Sequence, residues 1–275
     1  MYKNYKAPRD TKKFSEAVNK LRTFFLNKGF VEVHTQDRLS ILAACEDPST
    51  VATYQYEGQI WPLPQTGQMW LEYELLTGAA KLPGVFCVST SYRNEPNPTP
   101  GRHERIFPMF EFESKGTMAD LAKLEAELCE YLGLGKASDF PHKDYVELAK
   151  NYGTEDISDM YEKKMMQDFG RVVFLEHFPE YTSPFWNMRR EGERANKIDV
   201  IIDGMETIGS AERSCDVADM RERFHTISDG GYAELLYHTF GKERVEKELE
   251  DFLSLDFFPR YGAGIGMTRL MRALA

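Results

Sequence analysis

Near its C-terminus the chain reads Gly262-Ala263-Gly264-Ile265-Gly266-Met267-Thr268-Arg269-Leu270, with glycine at every second position. In a strand successive side chains point to opposite faces, so glycine at i, i+2 and i+4 strips one face bare. A ligand or a second backbone can then approach that face closely. A tight structural turn would use the same residues, and the run alone does not decide between the two. It does exclude one common architecture. The dinucleotide-binding fingerprint puts its glycines at the first turn of a βαβ unit, and no such unit stands behind this run.

The rest of the chain alternates strand-like and helical stretches. Phe14, Val18, Leu21, Phe24 and Phe25 sit at helical spacing within residues 11–28, and Gly29 is the natural stop. Gly29 to Val33 reads as a strand. Residues 51–62 alternate around Glu57-Gly58 and predict a hairpin. Gln68 to Leu82 reads as a helix closed by Pro83-Gly84. The apolar run Val85 to Val88 opens a strand that continues through Tyr92-Arg93. A loop rich in proline, asparagine and glycine follows, from Glu95 to Gly101, and a return strand covers Ile106 to Phe112. Further helices are expected over Leu121 to Leu132, most of 142–168 and roughly 216–253. Asp199 to Gly204 is a strand and a turn, and Tyr261 to Leu274 a glycine-rich turn into a helix. No repeat or low-complexity linker divides the chain. The expectation is one α+β domain over residues 1–275, a mainly antiparallel sheet flanked by helices.

Composition narrows the function. At 275 residues with 42% hydrophobic and 13% aromatic content, the chain can bury a substantial core. No apolar run is long enough to span a bilayer, and Met1-Tyr2-Lys3-Asn4 opens no signal peptide. A soluble, cytoplasmic protein without membrane contact is expected. Cys45, Cys87, Cys129 and Cys215 form no CxxC pair, as reduced core thiols would not. The net charge is -10 with no basic run, which speaks against a general nucleic-acid surface.

Three segments ask for chemistry. Arg93 leaves an apolar strand opposite a returning strand that carries Phe107, an arrangement suited to an anion bearing a flat ring. A solvated loop is the plain alternative. The glycine run ends at Arg269. Asp199 and Glu206 flank the Asp203-Gly204 turn and could share a magnesium ion; surface acids would look the same.

Together these segments resemble the motif 2, the motif 3 and the metal-binding strand of class II aminoacyl-tRNA synthetases. Lys20 to Val33 resembles motif 1, the family's dimer-forming helix and strand, although its usual proline is missing near Thr35-Gln36. Ala44 to Thr50, Thr66 to Glu72 and Gly204 to Arg213 are similar to segments of the asparaginyl and aspartyl branch.

The resemblance implies roles. Arg93 would contact the α-phosphate and the substrate carboxylate, with Glu95 also at the ATP site. His103 or Arg102 would reach the γ-phosphate. Phe107 would stack on adenine, while Arg269, behind Gly266, would cover its other face. Asp199 and Glu206 would hold magnesium. Glu46, Gln68 and Glu72 would orient the amino acid, and Arg213 would meet its side-chain carbonyl. The catalytic set is then Arg93, Arg213 and Arg269. Two acids of the family pattern are replaced, by Ile106 and Thr268. Leu71 stands where aspartyl enzymes carry lysine, and Glu72 matches an asparaginyl glutamate, which brings the pocket nearer to asparagine.

The expected activity is formation of an aminoacyl-adenylate from ATP, with magnesium, in a homodimer. Motif 1 begins by residue 20, leaving no room for an anticodon-binding barrel before it. An asparagine synthetase passing an aspartyl-adenylate to ammonia is therefore the favoured expectation. An aminoacyl-tRNA ligase is the second reading, and a catalytically inactive paralogue the third.

Overall fold

The computed structural model describes residues 10–35, 39–41, 50–78, 82–182 and 184–274. Helix α1, Thr11–Asn27, is capped by Asp10, whose carboxylate accepts from the amides of Lys12 and Lys13 at 3.1 and 3.0 Å. It buries Ala17, Val18, Leu21, Phe24 and Phe25, the stripe read from the sequence. Gly29, at a φ of 81°, turns the chain into strand β1, Val31–Glu32. The hairpin of β2, Thr53–Tyr56, and β3, Gln59–Pro62, turns at Glu57 and Gly58, both at positive φ. Helix α2, Gln68–Thr77, ends five residues before the expected Leu82, where the Gly78 amide bonds the Glu74 carbonyl at 3.0 Å.

Strands β4, Gly84–Tyr92, and β5, Ile106–Lys115, form the expected antiparallel pair. After α3, Met118–Tyr131, the stretch expected to be largely helical opens with strand β6, His142–Asp144. Helices α4, Tyr145–Tyr152, and α5, Asp159–Phe169, follow it. Then come β7, Val172–Pro179, β8, Arg190–Glu191, β9, Arg194–Ile202, and β10, Met205–Arg213. Three helices, α6 (Val217–Thr226), α7 (Gly231–Phe240) and α8 (Lys242–Leu253), precede β11, Arg260–Gly266, and α9, Met267–Ala273. The glycine run is thus a strand, and the helix begins only at Met267.

The sheet runs β1-β4-β5-β11-β10-β9-β7-β6, with β8 paired to β9. Among the described residues, β1 with β4 and β6 with β7 are parallel and the other pairs of this sheet are antiparallel. One face carries Phe86, Phe110, Phe112, Ala263, Ile265, Ile208, Ile198, Val200 and Phe174, buried against α1, α3 and α9. Phe25 of α1 packs on Phe112 with ring centroids 4.7 Å apart. Burying a ring of this kind contributes roughly 1.5–3 kcal/mol, so this face anchors the sheet. A second apolar cluster gathers α6, α7 and α8 around Trp186. A third lies under α4 and α5.

The opposite face is the unusual one. Across it the register aligns Glu111 with Gly264, Gly264 with Gly209, and Gly209 with Asp199. One step along, Glu113 meets Gly262, Gly262 meets Ala211, and Ala211 meets Lys197. The two central strands therefore present glycine and alanine, and the strands beside them present charge. A sheet built this way has a trough at its centre with polar walls.

Candidate active site

The trough is a cavity of about 90 Å³. Its wall includes Gln65 and Thr66 just before α2, Gln68 at its first position, Arg93 after β4, and Glu111 and Glu113 on β5. Lys197 on β9, Glu206, Gly209 and Arg213 on β10, and Gly264 on β11 complete it.

The glycines are needed here for space. A methyl group built on Gly262 would lie 2.0 Å from Glu113 Oε1, and one on Gly264 would lie 2.7 Å from Met109 Cε. Glu113 thus lies flat across Gly262. Gly209 has a different neighbour: the same methyl would meet Glu206 Oε1 at 3.1 Å and Asp199 Oδ1 at 3.7 Å. The two acids expected to hold a metal therefore converge above one glycine. The β-bulge between Glu206 and Ile208 aims Glu206 there.

Asp199 Oδ2 accepts from Lys197 Nζ at 2.7 Å, while its Oδ1 is buried with no hydrogen-bond partner among the described residues. A buried carboxylate oxygen without a donor is costly. Together with Glu206 it offers the hard oxygen donors that a magnesium ion takes, and the residues fit such an ion. Among the described residues no third His, Cys, Asp or Glu joins them, so water or phosphate oxygens would complete the shell. Burial pushes the Asp199 carboxyl up; Lys197 opposes this and the Glu206 charge adds to it. Burial also acts on Glu206, but Lys197, Arg269, Arg93 and Arg102 outweigh it and hold that carboxyl below its ordinary range.

At the other end of the cavity Arg213 is almost fully buried. It donates to Glu113 through Nη2 at 2.6 Å and Nε at 3.2 Å. Burial raises the Glu113 carboxyl to about 7, against the pull of Arg213, with Glu72 adding to the rise. Glu111 accepts from the Gly67 amide at 2.9 Å and from the hydroxyls of Thr66 and Ser89. Burial still raises its carboxyl despite these donors.

Glu72, expected at the amino acid, is placed one layer behind the wall. It is fully buried and accepts from Gln68 Nε2 at 2.7 Å, Asn187 Nδ2 at 2.8 Å, and Arg260 at 2.7 and 2.9 Å. Arg260 and Arg213 offset its burial and hold its carboxyl low. Its part is to aim Gln68 into the cavity and to fix Arg260. Glu46 lies outside the described residues.

The remaining expected residues stand around the rim. Arg93 faces the Phe107 ring, with its Cζ 5.3 Å from the centroid. His103 Nδ1 lies 3.1 Å from Glu95 Oε2, which folds the loop on itself. Arg102 pairs with Glu162 of α5. Gly266 ends β11 and caps α9, in whose first turn Arg269 donates to the Glu206 carbonyl at 2.6 Å. The Thr268 hydroxyl donates to Glu104 at 3.1 Å, so an acid from the β4–β5 loop stands beside Thr268. Ile106 points outward and is 58% exposed.

Glu111, Glu113, Lys197 and Glu162 escape the sequence reading. A signal for the first two exists in Phe110-Glu111-Phe112-Glu113, a strand with rings on one face and acids on the other. Lys197, two residues before Asp199, shares its face by the same alternation.

The profile of the tRNA synthetases class II (D, K and N) matches residues 2–275. The chain belongs to this family. It is 25% identical over 304 residues to the aspartate–tRNA(Asp) ligase of Pyrobaculum aerophilum, covering 98% of this chain and 65% of that one. Among solved structures it is similar to the asparaginyl-tRNA synthetase of Pyrococcus horikoshii complexed with asparaginyl-adenylate. That likeness has a TM-score of 0.76 and 19% identity, and covers 96% of this chain and 64% of the other. The Entamoeba histolytica asparaginyl-tRNA synthetase, also with asparaginyl-adenylate, gives 0.75, 20%, 96% and 63%. These structures establish the class II synthetase fold. The chain spans less than two thirds of the length of each of these relatives. No helix among its described residues is long and apolar enough to cross a membrane.

Proposed function

We propose that the protein activates asparagine or aspartate as its adenylate at the expense of ATP. The observation that carries this reading is the Arg213–Glu113 pair at one end of the cavity, with Lys197 and Glu206 at the other and Asp199 beside them. A guanidinium beside a carboxylate offers a donor and an acceptor side by side. That is the complement of a side-chain amide, whose oxygen accepts and whose nitrogen donates. An aspartate side chain would meet the same arginine but would be repelled by Glu113 unless that carboxyl were protonated.

In the reaction, an oxygen of the substrate carboxylate (the α-carboxylate for transfer to tRNA, the aspartate side-chain carboxylate for an asparagine synthetase) bonds the α-phosphorus of ATP, and the bond to the bridging oxygen breaks to release pyrophosphate. No protein nucleophile is required; catalysis is positioning and charge stabilisation. Arg93 and Lys197 line the cavity where negative charge gathers, and Arg269 closes the rim. Phe107 offers its ring to adenine. Gln68, aimed by Glu72, orients the amino acid. Asp199 and Glu206 would hold magnesium, which neutralises phosphate charge when bound. His103 has no proton to move.

For the second step we favour a small amine acceptor, ammonia in an asparagine synthetase, where the adenylate is on the aspartate side-chain carboxylate: the amine nitrogen attacks that acyl carbon, AMP leaves, and the nitrogen sheds a proton. The loop Pro96-Asn97-Pro98-Thr99-Pro100-Gly101 supports this, since it carries no cation for a phosphate backbone, as does the net charge of -10. Transfer to tRNA is the competing reading, supported by the tRNA ligases among the relatives. The edge position of β1, with Leu26 and Val31 exposed, supports a homodimer built on the α1–β1 unit. Cys87 and Cys129 are buried and in no disulfide among the described residues, which is consistent with the cytoplasm.

The test is product analysis after incubation with ATP, magnesium and aspartate plus ammonium, and in parallel with aspartate or asparagine plus total tRNA. Free asparagine at catalytic turnover supports the amine reading. Charged tRNA without free asparagine replaces it with the tRNA ligase.

A further inference from the structure

Glu162, in the first turn of α5, has no place in the reading above, yet its side chain joins two parts of the site. One carboxylate oxygen pairs with Arg102 Nη2 in the β4–β5 loop. The other accepts the backbone N–H of Glu206 at 2.8 Å, beside the bulge that aims the Glu206 carboxylate above Gly209. Glu162 is buried, as is most of the Arg102 side chain. Helix α5 cannot drift from this position. The turn at Asp203-Gly204 takes two positive φ angles, 50° and 74°, and a methyl on Gly204 would lie 3.1 Å from the Lys163 Cα.

A carboxylate buried in this way is unfavourable unless both oxygens are used, and here both are. Arg102, in contrast, is only half used: its Nη1 is buried with no hydrogen-bond partner among the described residues. Two further contacts stitch the same loop to the body. Arg272 Nη2 donates to the Gly101 carbonyl at 3.0 Å, and Thr268 holds Glu104. The loop is therefore fixed around an unsatisfied cationic donor, which lies close enough to Glu206 for each charge to act on the other.

We propose that Glu162 is a positioning residue for the distal phosphates of ATP, setting Arg102 and the backbone of Glu206 in one geometry and leaving Arg102 Nη1 as their donor. This deepens the activation reading and rests on it. One carboxylate couples the arm that meets the phosphate tail to the strand that carries the metal acid. The nucleoside end, at Phe107 and Arg269, is not touched by Glu162.

The experiment measures equilibrium binding of ATP and of AMP, each with magnesium, to the wild-type chain, Glu162→Gln and Glu162→Asp, with melting temperature alongside. The glutamine amide can still accept from Glu206 but no longer holds Arg102 by charge. The aspartate keeps the charge but is one methylene too short to span both partners. Both variants are expected to weaken ATP by about tenfold or more, the size of a lost charged hydrogen bond, with AMP changed less than about twofold. Their KM for the amino acid is expected to stay near the wild-type value. Equal weakening of ATP and AMP, tracking a fall in melting temperature, would mean a structural role and overturns the inference. So does ATP binding that matches wild type in both variants. Failure of the wild-type chain itself to bind ATP would instead overturn the activation reading.

Discussion

Two groups of buried charge lie against one sheet of this protein and are finished to different degrees. Behind the cavity, Glu72 accepts from Gln68, Asn187 and two nitrogens of Arg260, and Arg260 Nη1 also holds the Ser214 carbonyl at 3.0 Å. At the cavity, Glu111 and Glu113 in the wall and Asp199 beside Lys197 and Glu206 all have carboxyl groups raised by burial, and Asp199 keeps an oxygen without a partner among the described residues. The residue types are the same. The Glu72 carboxylate is saturated and sets positions, whereas Asp199 is one donor short and burial outweighs the donors that Glu111 and Glu113 have, as suits a site awaiting charged and polar substrate groups. Burial alone does not separate structure from function here; the balance of partners does.

The largest expected effect falls on the saturated group. Glu72→Ala leaves Arg260 buried without its partner and is expected to cost about 3–5 kcal/mol of folding stability, read by denaturant unfolding. A loss below about 1 kcal/mol would erase the contrast, because Glu72 would then be no better anchored than the cavity acids.

The rim should behave in the opposite way. Arg269→Ala is expected to raise the activation barrier by roughly 3–4 kcal/mol, as removal of a preorganised electrostatic contact does. Its unfolding midpoint should stay close to wild type, since the arginine is partly exposed and its partners lie at the mouth of the site. Steady-state exchange kinetics and a melt on the same sample check both halves.

A smaller effect concerns Glu113, whose carboxyl titrates at about 7 rather than 4.5. Because the folded pKa is raised, the folded chain binds more protons across that interval. Its contribution to stability therefore falls as pH rises from 4.5 to about 7. Ionised Glu113 accepts from an amide and repels a carboxylate. The preference for asparagine over aspartate should thus rise with pH through about 7, by up to about tenfold per unit in the steep region. Glu113→Gln should flatten the profile. An unchanged pH profile in that variant would remove Glu113 from substrate recognition.

Much of this arrangement was legible in the chain. The helix of residues 11–28 announces itself because its apolar stripe and cap agree with its period. The β4–β5 pair is marked by an apolar run, a proline-rich turn and a return. Strand β7 goes unassigned because a short apolar run such as Val172 to Leu175 carries no period that separates strand from buried helix. The glycine run is legible as a bare face but not for what fills it: Glu113, eclipsed in sequence by its neighbours, lies across Gly262 only through register between β5 and β11. Glu72 shows the converse. Its motif position pointed to the substrate, while its burial between Arg260 and Asn187 is a tertiary fact no local pattern encodes.

Amino-acid activation is read without any acceptor substrate by ATP–pyrophosphate exchange. With magnesium and each amino acid in turn, exchange is expected to depend on asparagine or aspartate and to be lost on adding a chelator. No exchange with any amino acid, or exchange driven equally well by an amino acid lacking a side-chain carbonyl, would contradict it.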